Sequence, residues 1–406
     1  MTSFDSTPNP TAWRVLLALT VVLIMLATSG WTVIRHQSGP GSALGAELAR
    51  WHKAGLAGRA LPPADAEPGR LAAFFASLGD RASGRLVADY PHVVGNLNGA
   101  PVTLRYRANR LALGEALAAE RKRVADPGLT PEGHQEAVRR MHRFGALMDE
   151  DRQILAFDPA GPGRVAEVFG DLDRAERVSV IVPGVDTNLL TFQRTARKYS
   201  APVGMAQSLY AAERAAAPRV RTAVIAWADY TSPVGVGVDS ATGRLAESGA
   251  QRLTALTEAL PGSSRVALFC HSYGSVVCGV AARGLPSRVE DLAVAGSPGM
   301  RAENVAGLGT AARVWAARDS DDWIQDVPHM EVGGLGHGED PVTPEFGARV
   351  VSAERAIGHT GYFEPGTESV HNFAEIGVGA YDGITCASGD DTCRSGIRGA
   401  TGGIRA

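Results

Sequence analysis

The sequence predicts an α/β fold, a mostly parallel sheet flanked by helices, preceded by a helical region and an amino-terminal apolar helix. Two observations carry the prediction. From about Arg177 onward, short unbroken apolar runs alternate with longer amphipathic stretches. Unbroken runs mean strands covered on both faces, which requires a parallel sheet between helical layers. Before Gly170, apolar residues recur instead at three- and four-residue spacing, the period of helices. The chain has 406 residues, 45% hydrophobic and 20% charged, which suits an ordinary folded protein of two or three domains.

Charge and cysteine content exclude several classes. Lys+Arg is 40 against Asp+Glu 43, a net charge of -3, so no basic field exists to hold nucleic acid. Four cysteines are too few for a disulfide-built scaffold.

Residues 1–36 form the first segment. Positions 15–34, VLLALTVVLIMLATSGWTVI, carry no charge, and twenty helical residues reach about 30 Å, the thickness of a bilayer core. Trp13 and Trp31 stand near its ends and Arg14 and Arg35 bracket it, as interfacial residues do. The expectation is a single-pass anchor in the cell membrane. A secretory signal cleaved near Ala27–Ser29, releasing a secreted body, is the alternative. Arg35, Arg50 and Lys53 slightly favour a cytoplasmic body by the positive-inside count. Cys386 and Cys393, in a Gly/Ser/Asp-rich loop, suit a local disulfide in an oxidising space, and the reading leans to an extracytoplasmic body.

Residues 37–170 read as a helical region, with helical spacing over 43–56, 69–78, 107–124, 131–148 and 152–157, punctuated by Pro and Gly. Residues 171–385 read as the α/β domain. Its strands are 178–182, 222–227, 265–270, 291–295 and 313–317, and its helices 195–217, 241–260, 273–283 and 303–308. Residues 386–406 form a Gly-rich, mobile tail without chemistry. Ligands of such sheets bind at the carboxyl ends of the strands, so residues just after each run matter most.

The run 265–270 leads straight into His271-Ser272-Tyr273-Gly274 and a small-residue helix. A strand, a sharp turn and a helix around a serine form the context of a nucleophile elbow, with small residues two before and two after the serine. Gly274 meets the second requirement; Cys270 stands where glycine is usual. A serine hydroxyl needs an imidazole base, oriented by a carboxylate. Where a nucleophile elbow carries the serine, the acid and then the base follow it in the chain. Asp319, Asp321 and Asp322 follow the run 313–317. Asp322, before Trp323-Ile324, is the choice, with the other two as alternatives. Four histidines come later: His329, His337, His359 and His371. His337 reads as part of a mobile loop. His359, between the strand-like run 349–356 and the last helix, is the expected base, and His371 its competitor. The Tyr273 N–H and the Val185 N–H, in Pro183-Gly184-Val185, are the expected oxyanion donors. Trp227, Tyr230 and Pro233 are candidates for an acyl pocket. No metal-ligand motif is present and the chemistry needs no cofactor.

The ordered set Pro91-His-Val-Val-Gly-Asn-Leu-Asn-Gly99, Arg107-Ala-Asn109, Val182-Pro-Gly184, His271-Ser-Tyr-Gly274, Ala295-Gly-Ser-Pro-Gly299, Asp322-Trp-Ile, Phe346-Gly-Ala-Arg349 and Gly358-His-x-x-Tyr362 resembles a family of largely uncharacterised actinobacterial α/β-hydrolases, across roughly residues 90–383. The resemblance implies a serine-hydrolase fold and a triad on Ser272, Asp322 and His359. It implies no substrate. The expected function is hydrolysis of carboxylic esters or thioesters, lipid or envelope acyl esters among them, through an acyl-enzyme. The alternative is a non-catalytic hydrolase-fold protein used for binding or assembly at the envelope, with residues 37–170 as the partner surface.

Overall fold

The computed structural model describes residues 42–56 and 59–397. The apolar run 15–34 and residues 398–406 lie outside the described residues. Among the described residues, no helix is long and apolar enough to cross a membrane.

Eight strands form the central sheet: β1 (Gln153–Asp158), β2 (Arg164–Gly170), β3 (Arg177–Val182), β4 (Thr222–Ala228), β5 (Arg265–His271), β6 (Val289–Ala295), β7 (Arg313–Ala317) and β8 (Arg349–Val350). Their spatial order is β8-β7-β6-β5-β3-β4-β2-β1. β3 to β8 run parallel, whereas β2 pairs antiparallel with both β4 and β1. Parallel strands need crossovers, and helices supply them on both faces. One face carries α4 (Val102–Val124), α5 (Pro131–Leu147), α6 (Pro202–Ala216) and α9 (Glu368–Val378). The other carries α7 (Arg244–Ala259) and α8 (Gly274–Ala281).

The strand sequences show why. In β5, Ala267 and Phe269 pack with α6 and α9, while Val266, Leu268 and Cys270 pack with α7 and α8. Alternate side chains thus leave opposite faces, and both faces are dry. A separate cluster around Trp51, Phe75, Leu86 and Val94 joins α1 (Ala43–Trp51), α2 (Pro68–Ala76) and α3 (Asp80–Asp89).

Several sequence expectations need correction. Residues 152–157 are not helical: Arg152 precedes the edge strand β1 and 153–157 lie in it, so the sheet begins at Gln153 rather than after Gly170. A register shift between Ile154 and Ala156 puts Ile154 and Phe157 on one face and Leu155 and Ala156 on the other. A bulge of this kind gives same-face residues three apart, which in sequence imitates a helix. β2 escaped notice because Glu167 interrupts its apolar run. That carboxylate is buried and meets the Arg152 guanidinium at 2.5 and 2.8 Å. The strand-like run 349–356 contributes only two residues to the sheet. Helix α6 starts at Pro202, whose fixed φ suits the first helical turn, not at 195. The tail is docked over its first residues: Cys386 and Cys393 are bridged and buried, Cys386 pairs with Val351, and the Arg349 guanidinium donates to the Cys393 carbonyl at 2.7 Å.

The sheet boundary is testable by truncation. A chain starting at residue 171 lacks β1 and β2 and bares the β4 edge, so it is expected to aggregate or melt without a cooperative transition, whereas a chain starting at 42 unfolds cooperatively in urea.

Candidate active site

β5 ends at His271, and the chain turns within two residues into α8. Ser272 sits in that turn with φ 55°, in the left-handed region that a side chain rarely adopts. Its N–H donates to the Ala295 carbonyl at 3.0 Å, which ties the turn to β6. The helix can start this close because Gly274 has no side chain: a Cβ there would stand 2.1 Å from the Val182 carbonyl oxygen. Gly184 is equally constrained, since a Cβ there would lie 2.6 Å from the Ser272 Cβ. Cys270, where glycine is usual, points to the α8 side and is bridged to Cys278 in α8. The side chain at that position therefore joins strand to helix instead of separating them.

His359 lies in a 3-10 turn, Gly358–Phe363, after β8. Its Nε2 is 2.9 Å from the Ser272 Oγ, and its Nδ1 is 2.9 and 3.0 Å from the two Asp322 carboxylate oxygens. Asp322 is fully buried and also accepts the Ile324 N–H at 2.9 Å and the Tyr362 hydroxyl at 2.6 Å. Burial alone would raise its pKa; the hydrogen bonds from His359 and Tyr362 outweigh this and hold the carboxyl below its ordinary range. The Tyr362 hydroxyl in turn accepts the Asp319 N–H at 3.0 Å, and the Asp319 carboxylate accepts the Gly358 N–H at 2.7 Å. Asp319 thus braces the histidine turn, while Asp321 faces solvent.

The other histidines are engaged elsewhere. His371 is exposed on α9 with its Nε2 on the Gly383 carbonyl at 3.1 Å, and His329 Nε2 lies 3.3 Å from the Ser297 carbonyl. His337 is not in an open mobile loop: it is buried, with Nε2 on the Ser240 carbonyl at 2.7 Å. Among the described residues, His359 alone reaches the Ser272 hydroxyl.

The segment Pro183-Gly184-Val185 runs beside the serine. The Tyr230 hydroxyl holds it by donating to the Pro183 carbonyl at 2.5 Å, and Asp186 and Thr187 donate their N–H groups to Pro233 O and Ser232 Oγ. The Val185 and Tyr273 N–H groups find no acceptor among the described residues. The acyl-pocket expectation for Trp227 and Tyr230 needs correction. Trp227 is buried in the core on β4 and stacks on the Tyr230 ring at 5.5 Å. Tyr230 is a brace for the Gly184 segment, although it reaches the wall of a cavity of about 70 Å³ between Arg164 and Asn188.

Two supporting residues were missed in the sequence. His271 is buried and hydrogen-bonds through Nε2 to the His359 carbonyl at 2.6 Å. Burial, reinforced by the neighbouring His359, pushes its pKa down to about 4, so at neutral pH its Nε2–H is the donor. Tyr362 had a signal. It lies three residues after His359, and on a 3-10 turn such residues stand on one side. His271 had none, because its partner is a backbone carbonyl 88 positions away.

One group of metal-ligating type occurs among the described residues. Glu47, His92 and Glu115 bring ligand atoms within 4.8 Å of one another in the helical layer, where Glu47 already accepts the Val93 N–H and Glu115 is exposed. At the serine, the geometry suits proton movement from Oγ to Nε2, with the imidazolium that forms held against a buried carboxylate.

The chain is similar to several known proteins. A family model described as Alpha/beta hydrolase matches residues 158–332. Two uncharacterized proteins of Mycobacterium tuberculosis, from strains H37Rv and CDC 1551, are each 26% identical over 386 residues. The match takes in 80% of this chain but only 57% of the length of those relatives. Among solved structures, a predicted CIB-like hydrolase from Thermoplasma acidophilum is 15% identical, covering 56% of this chain and 95% of its own, with a TM-score of 0.34. An α/β serine hydrolase without lid from Xanthomonas campestris is 15% identical, covering 56% and 94%, with a TM-score of 0.32. The mostly parallel sheet and its helices have the α/β-hydrolase fold over the residues that the family model matches.

The buried His271 makes a pH prediction. Folded His271 takes its proton near pH 4, the unfolded residue near 6.5. Stability from this group is therefore complete above pH 6.5 and is lost as pH falls towards 4, by up to about 3 kcal/mol. Urea unfolding of wild type and His271→Gln at pH 7.5 and pH 4.5 is expected to show the larger acid loss in wild type.

Proposed function

We propose that the chain is a serine hydrolase of carboxylic esters or thioesters, with Ser272 as nucleophile, His359 as base and Asp322 as the carboxylate that orients it. The observation that carries this reading is the unbroken hydrogen-bonded series from Ser272 Oγ through His359 to Asp322, each link 2.9 to 3.0 Å, at a serine held in a left-handed turn. Ser272 Oγ attacks the carbonyl carbon as His359 Nε2 takes its proton. The tetrahedral oxyanion is met by the free Val185 and Tyr273 N–H groups. Collapse expels the alcohol or thiol, which takes the proton from His359 and leaves an acyl-serine. Water, deprotonated by the same imidazole, then releases the acid and restores the hydroxyl. None of these steps calls on a cofactor.

The apolar run 15–34 supports a body tethered at the cell membrane. The pairing of all four cysteines, Cys270 with Cys278 and Cys386 with Cys393, supports placement on the oxidising side. Lipid or envelope acyl esters are the substrates within reach of such a body.

A fluorophosphonate probe is expected to label the wild-type chain at Ser272 and to leave Ser272→Ala unlabelled. Asp322→Asn is expected to lower kcat on p-nitrophenyl esters by about 10⁴-fold, since the amide presents the wrong partner to Nδ1–H. Absence of labelling in a folded wild-type chain would favour the non-catalytic envelope role.

The cysteine pairing is checked separately. Chain isolated without reductant is expected to take up no iodoacetamide in denaturant, and four equivalents after reduction. Uptake before reduction would argue for a cytoplasmic body.

A further inference from the structure

Eight of the nine large hydrophobic side chains exposed among the described residues lie on three segments of the chain. Val234, Val236 and Val238 follow β4; Trp323, Met330, Val332 and Leu335 follow β7; Ile357 follows β8. β4, β5, β7 and β8 run parallel, so all three segments leave the same sheet edge as Ser272.

Specific contacts tie these segments to the site. The Trp323 ring lies 4.8 Å from the His359 ring, and Ile357 immediately precedes the Gly358 N–H held by Asp319. The Gly235 N–H donates to the Asp186 carboxylate at 2.8 Å, which places Val234 and Val236 beside the Val185 segment. Leu335 pairs across to Thr242, whose carbonyl accepts the Tyr273 hydroxyl at 2.7 Å. The apolar residues therefore form a rim around the strand ends that carry Ser272 and His359.

The turns themselves are unusual. Val-Gly-Val-Gly-Val at 234–238 and Val-Gly-Gly-Leu at 332–335 put aliphatic side chains where turns are ordinarily polar. Gly235, Gly237, Gly333 and Gly334 have nothing within 4 Å of a built Cβ, so both turns project into open space. Their charges are paired locally, Arg244 with Asp239 at 2.6 Å and Arg301 with Glu331 at 2.7 Å, which leaves apolar contact as the attraction. Exposed apolar surface gathered at one end of the sheet marks an interaction site.

We infer that this rim seats on a lipid surface and that the site takes its acyl ester from that surface, an inference that rests on the ester-hydrolase reading above. A protein permanently seated on the rim would cover the approach to Ser272. A lipid surface covers the rim and carries the ester at once. Only seven residues, 35–41, separate the apolar run 15–34 from Ser42, an extended reach of about 25 Å. A chain anchored by that run keeps its body within reach of the bilayer.

The test uses the full chain in phosphatidylcholine vesicles with brominated acyl chains. The Trp323 part of the fluorescence is read as the difference between wild type and Trp323→Phe, which removes any contribution from Trp13 and Trp31. Bromine is expected to quench it and aqueous iodide to spare it. In the double variant Val236→Ser/Val332→Ser, hydrolysis of an emulsified long-chain ester is expected to fall about tenfold while p-nitrophenyl acetate turnover stays unchanged. Quenching by iodide and not by bromine overturns the inference, as does an equal effect of the variant on both esters. Burial of Trp323 in a dimer that forms without lipid overturns it too. Hydrolysis of neither ester by wild type would instead overturn the ester-hydrolase reading, and the quenching result would still decide the fate of the rim.

Discussion

The close approach of three backbone segments around Ser272 is the constraint on which the site depends. β5 must stop, the chain must turn through a left-handed residue, and α8 must begin against the Val182 carbonyl. A left-handed serine persists only where its surroundings over-determine it. Here they do so through the Ala295 carbonyl below, the Gly184 segment beside it and the Cys270–Cys278 bridge across the turn. The same packing that forces the strained turn also lifts the hydroxyl to the rim of the sheet, where an imidazole can meet it.

The electrostatics follow from that position. Asp322 is buried yet ionised, because His359, Tyr362 and the Ile324 N–H replace the water it has lost. Tyr362 and Asp319 extend the network to the backbone of the turn that carries His359, and His271 holds that turn from the other side while staying neutral. A charged His271 next to His359 would oppose the imidazolium that the proposed reaction must form. The low affinity of His271 for a proton removes that conflict.

Legibility differed between elements for physical reasons. β3 to β7 could be read because each is apolar over most of its length, as a strand covered on both faces must be. β1 was misread because a bulge gave it the spacing of a helix, and β2 was lost behind Glu167, whose burial is tolerable only with Arg152 against it. At the site, the sequence favoured Asp322 because Trp323-Ile324 follows it, but left Asp319 and Asp321 open, since a turn decides which side chain points inward; it is Asp322 that meets His359. Trp227 and Tyr230 looked like pocket walls because they stand at a strand's end, but the stack of their rings fills the core and the Tyr230 hydroxyl braces the Gly184 segment.

The sequence by itself determined what is local: the strand, turn and helix around Ser272, the apolar runs of the parallel sheet, and the strand ends after which Asp322 and His359 stand. These follow from periodicity, from small residues at tight turns and from the common edge that parallel strands share. Only the tertiary structure decided what acts through space: the union of Cys270 with Cys278, the placing of Asp319, Asp321 and His371 away from the Ser272 hydroxyl, the bracing by His271 and Tyr362, and the gathering of exposed apolar turns at one end of the sheet. The reason is that a hydrogen bond across 88 residues leaves no periodic trace in the chain. It exists only because the sheet brings separate strand ends to the same edge.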